Sequence, residues 1–435
     1  MSRTVRPARA VIAMGAFALA FAAGAQAQDR VITGVVTGSQ GSLIPLAIAP
    51  AAPGDGAAAS LLQVIRDDLD FSGYFALVPA ERAALVAPPG TTPDSRKAWL
   101  ESWRSVGADV VLDGQATQEG GQMRLEAALF DTGTAERILW NRYAGEPSAP
   151  RRISHKISDD VVRQLTGQMG IASTRIACVV KTGPDAKEIL LVDYDGERPR
   201  RLTATGKLTL SPAWAPAADR LSFISFRGRS PGIDIVNTEG RISRLPTAGG
   251  DLNSAPDWSP DGKRMAYSSN RDGNSEIYRM EIASGAETRL TAHPGIDSSP
   301  CWSPNGREIA FTSNRAGSPQ IYIMDADGLS VRRLTTEGNY NESAAWSPRG
   351  DRIAYVSRIE GRFEIHVIEL QSGAITRLTK GSGNSENPRW SPDGRHLVFA
   401  SDRTGLWTIY TMAADGSQVR AVTSREPAFT PDWSR

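Results

Sequence analysis

Cysteine and histidine are scarce in this chain, and their scarcity removes whole classes of function. Two cysteines, Cys178 and Cys301, and four histidines, His155, His293, His366 and His396, are spread over the length of the sequence. A zinc site needs about four such ligands converging on one point, so none is expected. The cysteines fall in repeats three units apart, which puts them beyond the reach of a disulfide, and both read as small buried residues. Charge of one sign is also lacking. Lysine and arginine number 49 against 48 acidic residues, for a formal net charge of +1. Such balance gives no general attraction to nucleic acid or to an acidic membrane surface. No glycine-rich phosphate loop precedes a helix. Beyond the first thirty residues there is no long apolar run, so nothing further is expected to span a membrane.

The amino terminus does carry an apolar run. Arg3, Arg6 and Arg9 precede Ala10–Ala25, and Ala25-Gln26-Ala27 satisfies the small-x-small rule for signal cleavage. Residues 1–27 are expected to be a signal peptide, cut after Ala27, leaving a periplasmic protein. Loss of the three arginines takes the formal charge from +1 to −2.

The dominant signal is a repeat. Trp214, Trp258, Trp302, Trp346, Trp390 and Trp433 follow one another at intervals of 44, 44, 44, 44 and 43 residues. Four of them open the turn sequence Ser-Pro-x-Gly, at Ser259–Gly262, Ser303–Gly306, Ser347–Gly350 and Ser391–Gly394. In the Trp214 copy it has drifted to Ala215-Pro216-Ala217-Ala218. Proline fixes φ in such a turn and glycine tolerates positive φ. An alternating strand follows each turn, then a polar loop, a third strand and a fourth ending in Leu-Thr. That ending recurs at Leu202-Thr203, Leu290-Thr291, Leu334-Thr335 and Leu378-Thr379, with variants Leu245-Pro246 and Val422-Thr423. Four strands in about 44 residues, six times over, is the signature of a β-propeller. The first unit lacks a Trp strand and the chain ends on an orphan one, Pro431-Asp432-Trp433. The last strand is therefore expected to complete the first blade and close the ring, leaving no free sheet edge. The propeller is predicted over 176–435.

Residues 41–167 do not repeat. A strand at 43–48, a helix carrying Leu61, Leu62, Ile65 and Leu69, and a second helix opened by Thr92-Pro93 come first. Strands at 110–115, 123–130 and 137–140 and a helix carrying Ile153, Ile157, Val161 and Leu165 complete a small α/β domain. The fold class is thus multidomain: a small N-terminal α/β domain followed by a six-bladed β-propeller. Residues 28–40 form a separate leading segment.

Little points to catalysis. Gly228-Arg229-Ser230-Pro231-Gly232 matches G-x-S-x-G, but it lies between two strands and no helix follows, as a nucleophile elbow requires. A propeller-based hydrolase or lyase has no other support. His155 stands four residues from Asp159, a spacing that a solvated helix face explains. Asp325-Ala326-Asp327-Gly328 reads as a hairpin turn rather than half of a calcium loop. No catalytic residue, metal or cofactor is assigned.

Binding is the better use of the scaffold. Loops after the second and fourth strands of each blade share one face, and they are the long, polar, variable ones. Just before each Trp strand they hold Leu252-Asn253-Ser254-Ala255, Ile296-Asp297-Ser298-Ser299, Tyr340-Asn341-Glu342 and Asn384-Ser385-Glu386. Together these ring the channel mouth and are the candidate partner-binding residues. Arg271, Arg315, Arg358 and Arg403 recur in the companion loops, and the recurrence favours a role in tying those loops down.

Nearly all of the mature sequence resembles the TolB family of the Tol-Pal system. The likeness rests on the repeats and on more specific segments. These are Asp68-Leu69-Asp70-Phe71-Ser72-Gly73-Tyr74-Phe75, Trp103-Arg104-Ser105-Val106-Gly107-Ala108-Asp109, His155-Lys156-Ile157-Ser158-Asp159-Asp160, Leu165-Thr166-Gly167 and Thr174-Arg175-Ile176-Ala177. The resemblance implies a non-catalytic periplasmic protein that maintains outer-membrane integrity and supports its constriction in cell division. It implies that the propeller mouth binds the peptidoglycan-associated lipoprotein Pal, and that the leading segment, with Asp29, Arg30, Val31 and Ile32, binds TolA. Other envelope lipoproteins are further candidate partners, and a generic periplasmic adaptor is the remaining alternative.

Overall fold

The computed structural model describes residues 43–52, 55–88, 90, 92–119, 122–145, 150–228, 230–247, 252–381 and 383–435. The expected signal peptide and the leading segment with Asp29, Arg30, Val31 and Ile32 lie outside the described residues.

The first elements are β1 (Ile44–Ile48), α1 (Gly56–Ser72), β2 (Phe75–Leu77), α2 (Ala80–Ala83), α3 (Pro93–Ser105), β3 (Val110–Glu119), β4 (Gln122–Asp131), β5 (Arg137–Gly145) and α4 (Pro150–Thr166). They build one sheet in the order β2-β1-β3-β4-β5, with β1 parallel to both its neighbours and the rest antiparallel. The period of two in β1 and β3 splits their side chains between two cores. Leu46, Ile48, Val110 and Leu112 meet α1 and α4 on one face, while Ala47 and Val111 meet Trp99, Leu100 and Trp103 of α3 on the other. The helix ends follow local chemistry. Asp55 accepts from the Ala58 amide at 2.9 Å to start α1, and Gly73 ends it at φ 68°. Thr92 and Ser95 form a capping box around Pro93 to start α3. Two short elements, β2 and α2, were not expected. They have too few residues to show a period.

From Arg175 onward the chain forms six four-stranded antiparallel sheets. In the first blade β6 (Arg175–Lys181), β7 (Lys187–Asp193) and β8 (Arg200–Arg201) are joined by the C-terminal strand Ala428–Trp433. Trp433 pairs with Ile176 and Asp432 with Ala177, so the last strand supplies the missing innermost strand and the ring closes. The other innermost strands are Thr209–Trp214, Asn253–Trp258, Asp297–Trp302, Asn341–Trp346 and Ser385–Trp390.

The repeat residues have visible work. Each tryptophan is buried in a cluster shared with the preceding blade, as Trp302 is with Ala266, Ile277 and Leu290, and the six clusters run round the ring. The Leu-Thr endings cap the third strand. Thr203, Thr291, Thr335, Thr379 and Thr423 accept at Oγ1 from the amides of Ile189, Ile277, Ile321, Ile365 and Ile409 at 2.9–3.0 Å. The hydroxyls of Thr203 and Thr291 in turn donate to the buried carboxylates of Glu188 and Glu276, each at 2.6 Å. The threonine is kept because it satisfies an amide that would otherwise be buried without a partner. Asp325–Gly328 is a hairpin turn, closed by the Gly328 amide on the Asp325 carbonyl at 2.8 Å. Cys178 and Cys301 are both buried and free.

In the Ser-Pro-x-Gly turns the glycines hold φ of 66–76°. The drifted copy puts Ala218 at φ 53°, a left-handed conformation that costs an L-residue on the order of 1–2 kcal/mol. Ala218→Gly is expected to stabilise the protein by about 0.5–1 kcal/mol, the relief of strain being partly offset by glycine's greater unfolded-state entropy. Denaturant unfolding measures it; a lower midpoint would show that Ala218 is not strained.

Candidate functional site

The mouth of the channel is built by a defect repeated six times. In each innermost strand the register against the second strand slips, by a β-bulge that sits two to four residues before the tryptophan. A non-glycine residue at each bulge has positive φ: Ser211, Ala255, Ser299, Ser343, Asn387 and Thr430, between 40° and 56°. Proline follows in five of the six, where the missing N–H suits a broken ladder. Bulges of this kind bend a strand and re-aim its side chains. Two of the bulge amides are held by the neighbouring blade, Ser299 donating to Ser268 Oγ at 3.1 Å and Ser343 to Thr312 Oγ1 at 3.2 Å.

The bulge sorts the expected mouth residues into two groups. Asn253, Asp297, Asn341 and Ser385 open their strands and are buried. Asp297 is fully buried and accepts from Arg315 at 2.8 Å. Asn341 donates to Gln320 Oε1 at 2.9 Å and to the Glu337 carbonyl at 2.8 Å, and Ser385 meets Ser401 Oγ at 3.2 Å. These four shape the mouth and offer a partner no side chain, which corrects the reading of them as contact residues. Sequence position alone missed it because the loop-to-strand boundary falls one residue earlier than the polar composition suggests.

The other group remains accessible. Leu252 and Ile296 are exposed at 41% and 51%, large apolar side chains facing water beside the channel. Ser254, Ala255, Ser298, Ser299, Tyr340, Glu342, Asn384 and Glu386 are half-buried around it. Glu342 accepts from the Tyr340 hydroxyl at 2.9 Å. Burial lifts the carboxyls of Glu342 and Glu386 above the usual range, and for Glu386 the charge of Glu342 adds to it. Neither is in an ion pair among the described residues, so the mouth presents an acidic, partly apolar rim.

Three of the companion arginines, Arg271, Arg315 and Arg403, are tied down within their own blades, while Arg358 is exposed. Arg271 binds Glu287 and stacks over Tyr278 with its guanidinium 4.3 Å from the ring centre. Arg315 binds Asp297, and Arg403 lies 4.8 Å from the Tyr410 ring centre while bonding Ser401 Oγ at 3.2 Å. Arg358 lies 6.0 Å from the ring centre of Phe363. Ser230, from the G-x-S-x-G match, is exposed in a loop between the strands Arg220–Ser225 and Gly232–Asn237, without the helix a nucleophile elbow needs.

At the opposite end of the channel the tryptophans converge with Asp257, Cys301, Arg389 and Asp432 around a cavity. Asp432 accepts from the Trp214 amide at 2.6 Å and Asp257 from the Trp302 amide at 2.8 Å, side-chain clasps from blade to blade. Burial pushes the Asp432 carboxyl up to about 6 despite the opposing charge of Arg389.

Known proteins share this arrangement. A family model for the TolB beta propeller domain matches residues 162–367 and 345–435, and one for the TolB amino-terminal domain matches residues 33–138. The chain belongs to the TolB family. It is 37% identical over 182 residues to the Tol-Pal system protein TolB of Desulfosudis oleivorans, covering 42% of this chain and 41% of that one. To the protein of the same name from Alkalilimnicola ehrlichii it is 35% identical over 208 residues, covering 46% and 47%. These matches thus span less than half the length of the curated relatives. The crystal structure of TolB from Acinetobacter baumannii superposes with a TM-score of 0.77 at 29% identity, over 90% of this chain and 97% of that one.

Asp297→Ala would strip the half-buried Arg315 of its partner. It is expected to cost about 3 kcal/mol of stability, read as a lowered unfolding midpoint. A midpoint unchanged within error would return Asp297 to the accessible rim.

Proposed function

We propose that this TolB-family chain is a non-catalytic periplasmic component of the Tol-Pal system whose propeller mouth binds the peptidoglycan-associated lipoprotein Pal. The observation that carries the reading is the rim itself. Six strained bulges, two of them hydrogen-bonded to the preceding blade, hold an accessible set of side chains around a single opening. Strain of this kind persists where a surface must be pre-organised. A rigid rim loses little conformational entropy when a partner docks, which favours macromolecular binding. The rim residues we assign to the contact are Leu252, Ser254, Ala255, Ile296, Ser298, Ser299, Tyr340, Glu342, Asn384 and Glu386. Leu252 and Ile296 supply apolar anchors, and Glu342 and Glu386 select for donors or cations on the partner.

The leading segment with Asp29, Arg30, Val31 and Ile32 is assigned to TolA, on the family resemblance. Through these two attachments the protein serves outer-membrane integrity and its constriction in division. The lack of a helix after Ser230 and the engagement of Arg271, Arg315 and Arg403 within their own blades both favour binding over hydrolysis. Export and cleavage after Ala27 belong to the same proposal.

Binding of purified Pal to the immobilised protein tests the mouth. Ile296→Asp and Glu342→Lys should each weaken capture about tenfold, roughly 1.4 kcal/mol, with circular dichroism unchanged. Binding unaltered in both variants would exclude the mouth as the Pal site.

A further inference from the structure

The α/β domain and the propeller are joined at the carboxyl end of α1, and that joint contains two of the four histidines. His396 donates from Nε2 to the Phe71 carbonyl at 2.7 Å and stacks on the Phe71 ring, with centroids 4.2 Å apart. Arg395 donates to the carbonyls of Ser72 and Gly73 at 3.3 and 2.5 Å, so cations of the propeller cap the helix end. Arg420 completes this side, pairing with Asp70 at 3.0 Å.

The other side is a closed polar cluster centred on Asp68. That carboxylate is 4% exposed and accepts from Tyr194 OH at 2.5 Å, Ser158 Oγ at 2.8 Å and His155 Nδ1 at 2.9 Å. It therefore ties α1 to α4 and to the first blade. His155, 2% exposed, is not on the solvated helix face that its spacing from Asp159 suggested. Asp159 turns instead to the amides of Ala172 and Ser173, at 2.8 and 3.0 Å.

With Nδ1–H committed to Asp68, the other ring nitrogen decides the chemistry. Nε2 of His155 has no hydrogen-bond partner and stands 3.6 Å from Asp195 Oδ2. In a neutral ring it would turn a lone pair toward a carboxylate, which is repulsive in a buried setting. The charge count points the same way. Asp68, Asp193 and Asp195 bring three negative charges, while Arg151 on Asp195 and Arg198 on Asp193 bring two positive ones. One positive charge is missing, and a proton on His155 supplies it. Glu197 is the next nearest acid and is exposed, and Arg420 faces Tyr194 from the sixth blade. A cleft lined by Asp68, Arg151, Tyr194 and Asp195 borders the cluster.

We propose that protonation of His155 at Nε2 locks the α/β domain onto the first propeller blade, making the joint between the two domains a proton-sensitive latch. Burial pushes the imidazole toward neutrality, but the hydrogen bond to Asp68 and the charges of Asp68, Asp195 and Asp193 outweigh it and raise its pKa above the usual value. A histidine raised on folding contributes stability fully below its unfolded pKa of about 6.5 and loses that contribution as pH rises through the folded value. The latch is therefore closed in mildly acidic surroundings and weakens on the alkaline side. The two carboxylates that face Nε2 already carry arginines, which disfavours a metal ion in place of the proton.

Imidazole nitrogen NMR and amide hydrogen exchange on the intact protein test this together. His155 should titrate above pH 6.5. Above its midpoint, protection factors at residues 150–160 and 193–198 should fall by up to about tenfold per pH unit, while those of the fourth and fifth blades stay level. Asp195→Asn should shift the His155 midpoint down and bring the loss of protection to lower pH; His155→Gln should abolish the pH dependence. The proposal fails if His155 titrates below 6.5, if protection at the joint is flat with pH in the unsubstituted protein, or if added zinc shifts the His155 resonances at micromolar concentration and a chelator reverses it.

Discussion

Everything in the propeller depends on one pairing, that of the strand Ala428–Trp433 with β6. Until it forms, the first blade lacks its innermost strand, β6 presents an open edge, and Trp433 has no cluster to enter. The pairing joins segments some 250 residues apart, so its contacts must offset a loop-closure entropy that grows with the logarithm of that separation. Six inter-blade tryptophan clusters become mutually dependent once it is made. The regular backbone clasps at Asp257 and Asp432, each accepting from the tryptophan amide of the next blade, carry the dependence inward to the channel.

The same closure explains the mouth. An open array could relax a bulge by splaying its strands, whereas a ring has no free end to absorb the change. Six positive-φ residues sit at equivalent positions, and at Ser299 and Ser343 the bulge amide is fixed against a hydroxyl of the preceding blade. The rim that results is rigid by construction. Its selectivity rests on few side chains: two exposed aliphatic residues, Leu252 and Ile296, and two carboxylates whose protons are held more tightly than usual, Glu342 and Glu386.

The ring was legible in the sequence because its causes are local and repeated. A tryptophan about every 44 residues, a glycine in four of the turns that follow it and a threonine capping the third strand in five blades act within one unit, and repetition amplifies each signal. The mouth was legible only in outline. Which loops form it follows from strand order, but the burial of Asn253, Asp297, Asn341 and Ser385 depends on a bulge, and a bulge reverses the facing that alternation implies. The domain joint was visible only as the resemblance of residues 155–160, 165–167 and 174–177 to the family's join between domains, and its contacts were hidden. Asp68, His155, Tyr194 and Arg420 lie far apart in the chain, and nothing in the neighbourhood of His155 except Asp159 was available to explain it. Local spacing offered a surface ion pair; the fold turned the ring the other way.

The place where the α/β domain docks gives the joint its meaning. Phe71, from the end of α1, enters the cluster that holds Val398, Ala400 and Ile409 of the sixth blade together with Ile176, Cys178, Val192 and Trp433 of the first. That cluster is the closing seam of the ring. Arg395, His396 and Arg420 reach α1 from one side of the seam, and Tyr194 and Asp195 approach from the other. A helix end pinned across the sixth and first blades acts as a staple, since opening the seam would expose Phe71 and leave the carbonyls of Phe71, Ser72 and Gly73 without their hydrogen-bond donors. Exposing one buried phenylalanine costs about 2–3 kcal/mol on its own, before the polar partners are counted. The two domains are therefore coupled through the closing seam of the ring, and any group that alters the docking of α1, the His155 proton among them, acts on the propeller where its closure is decided.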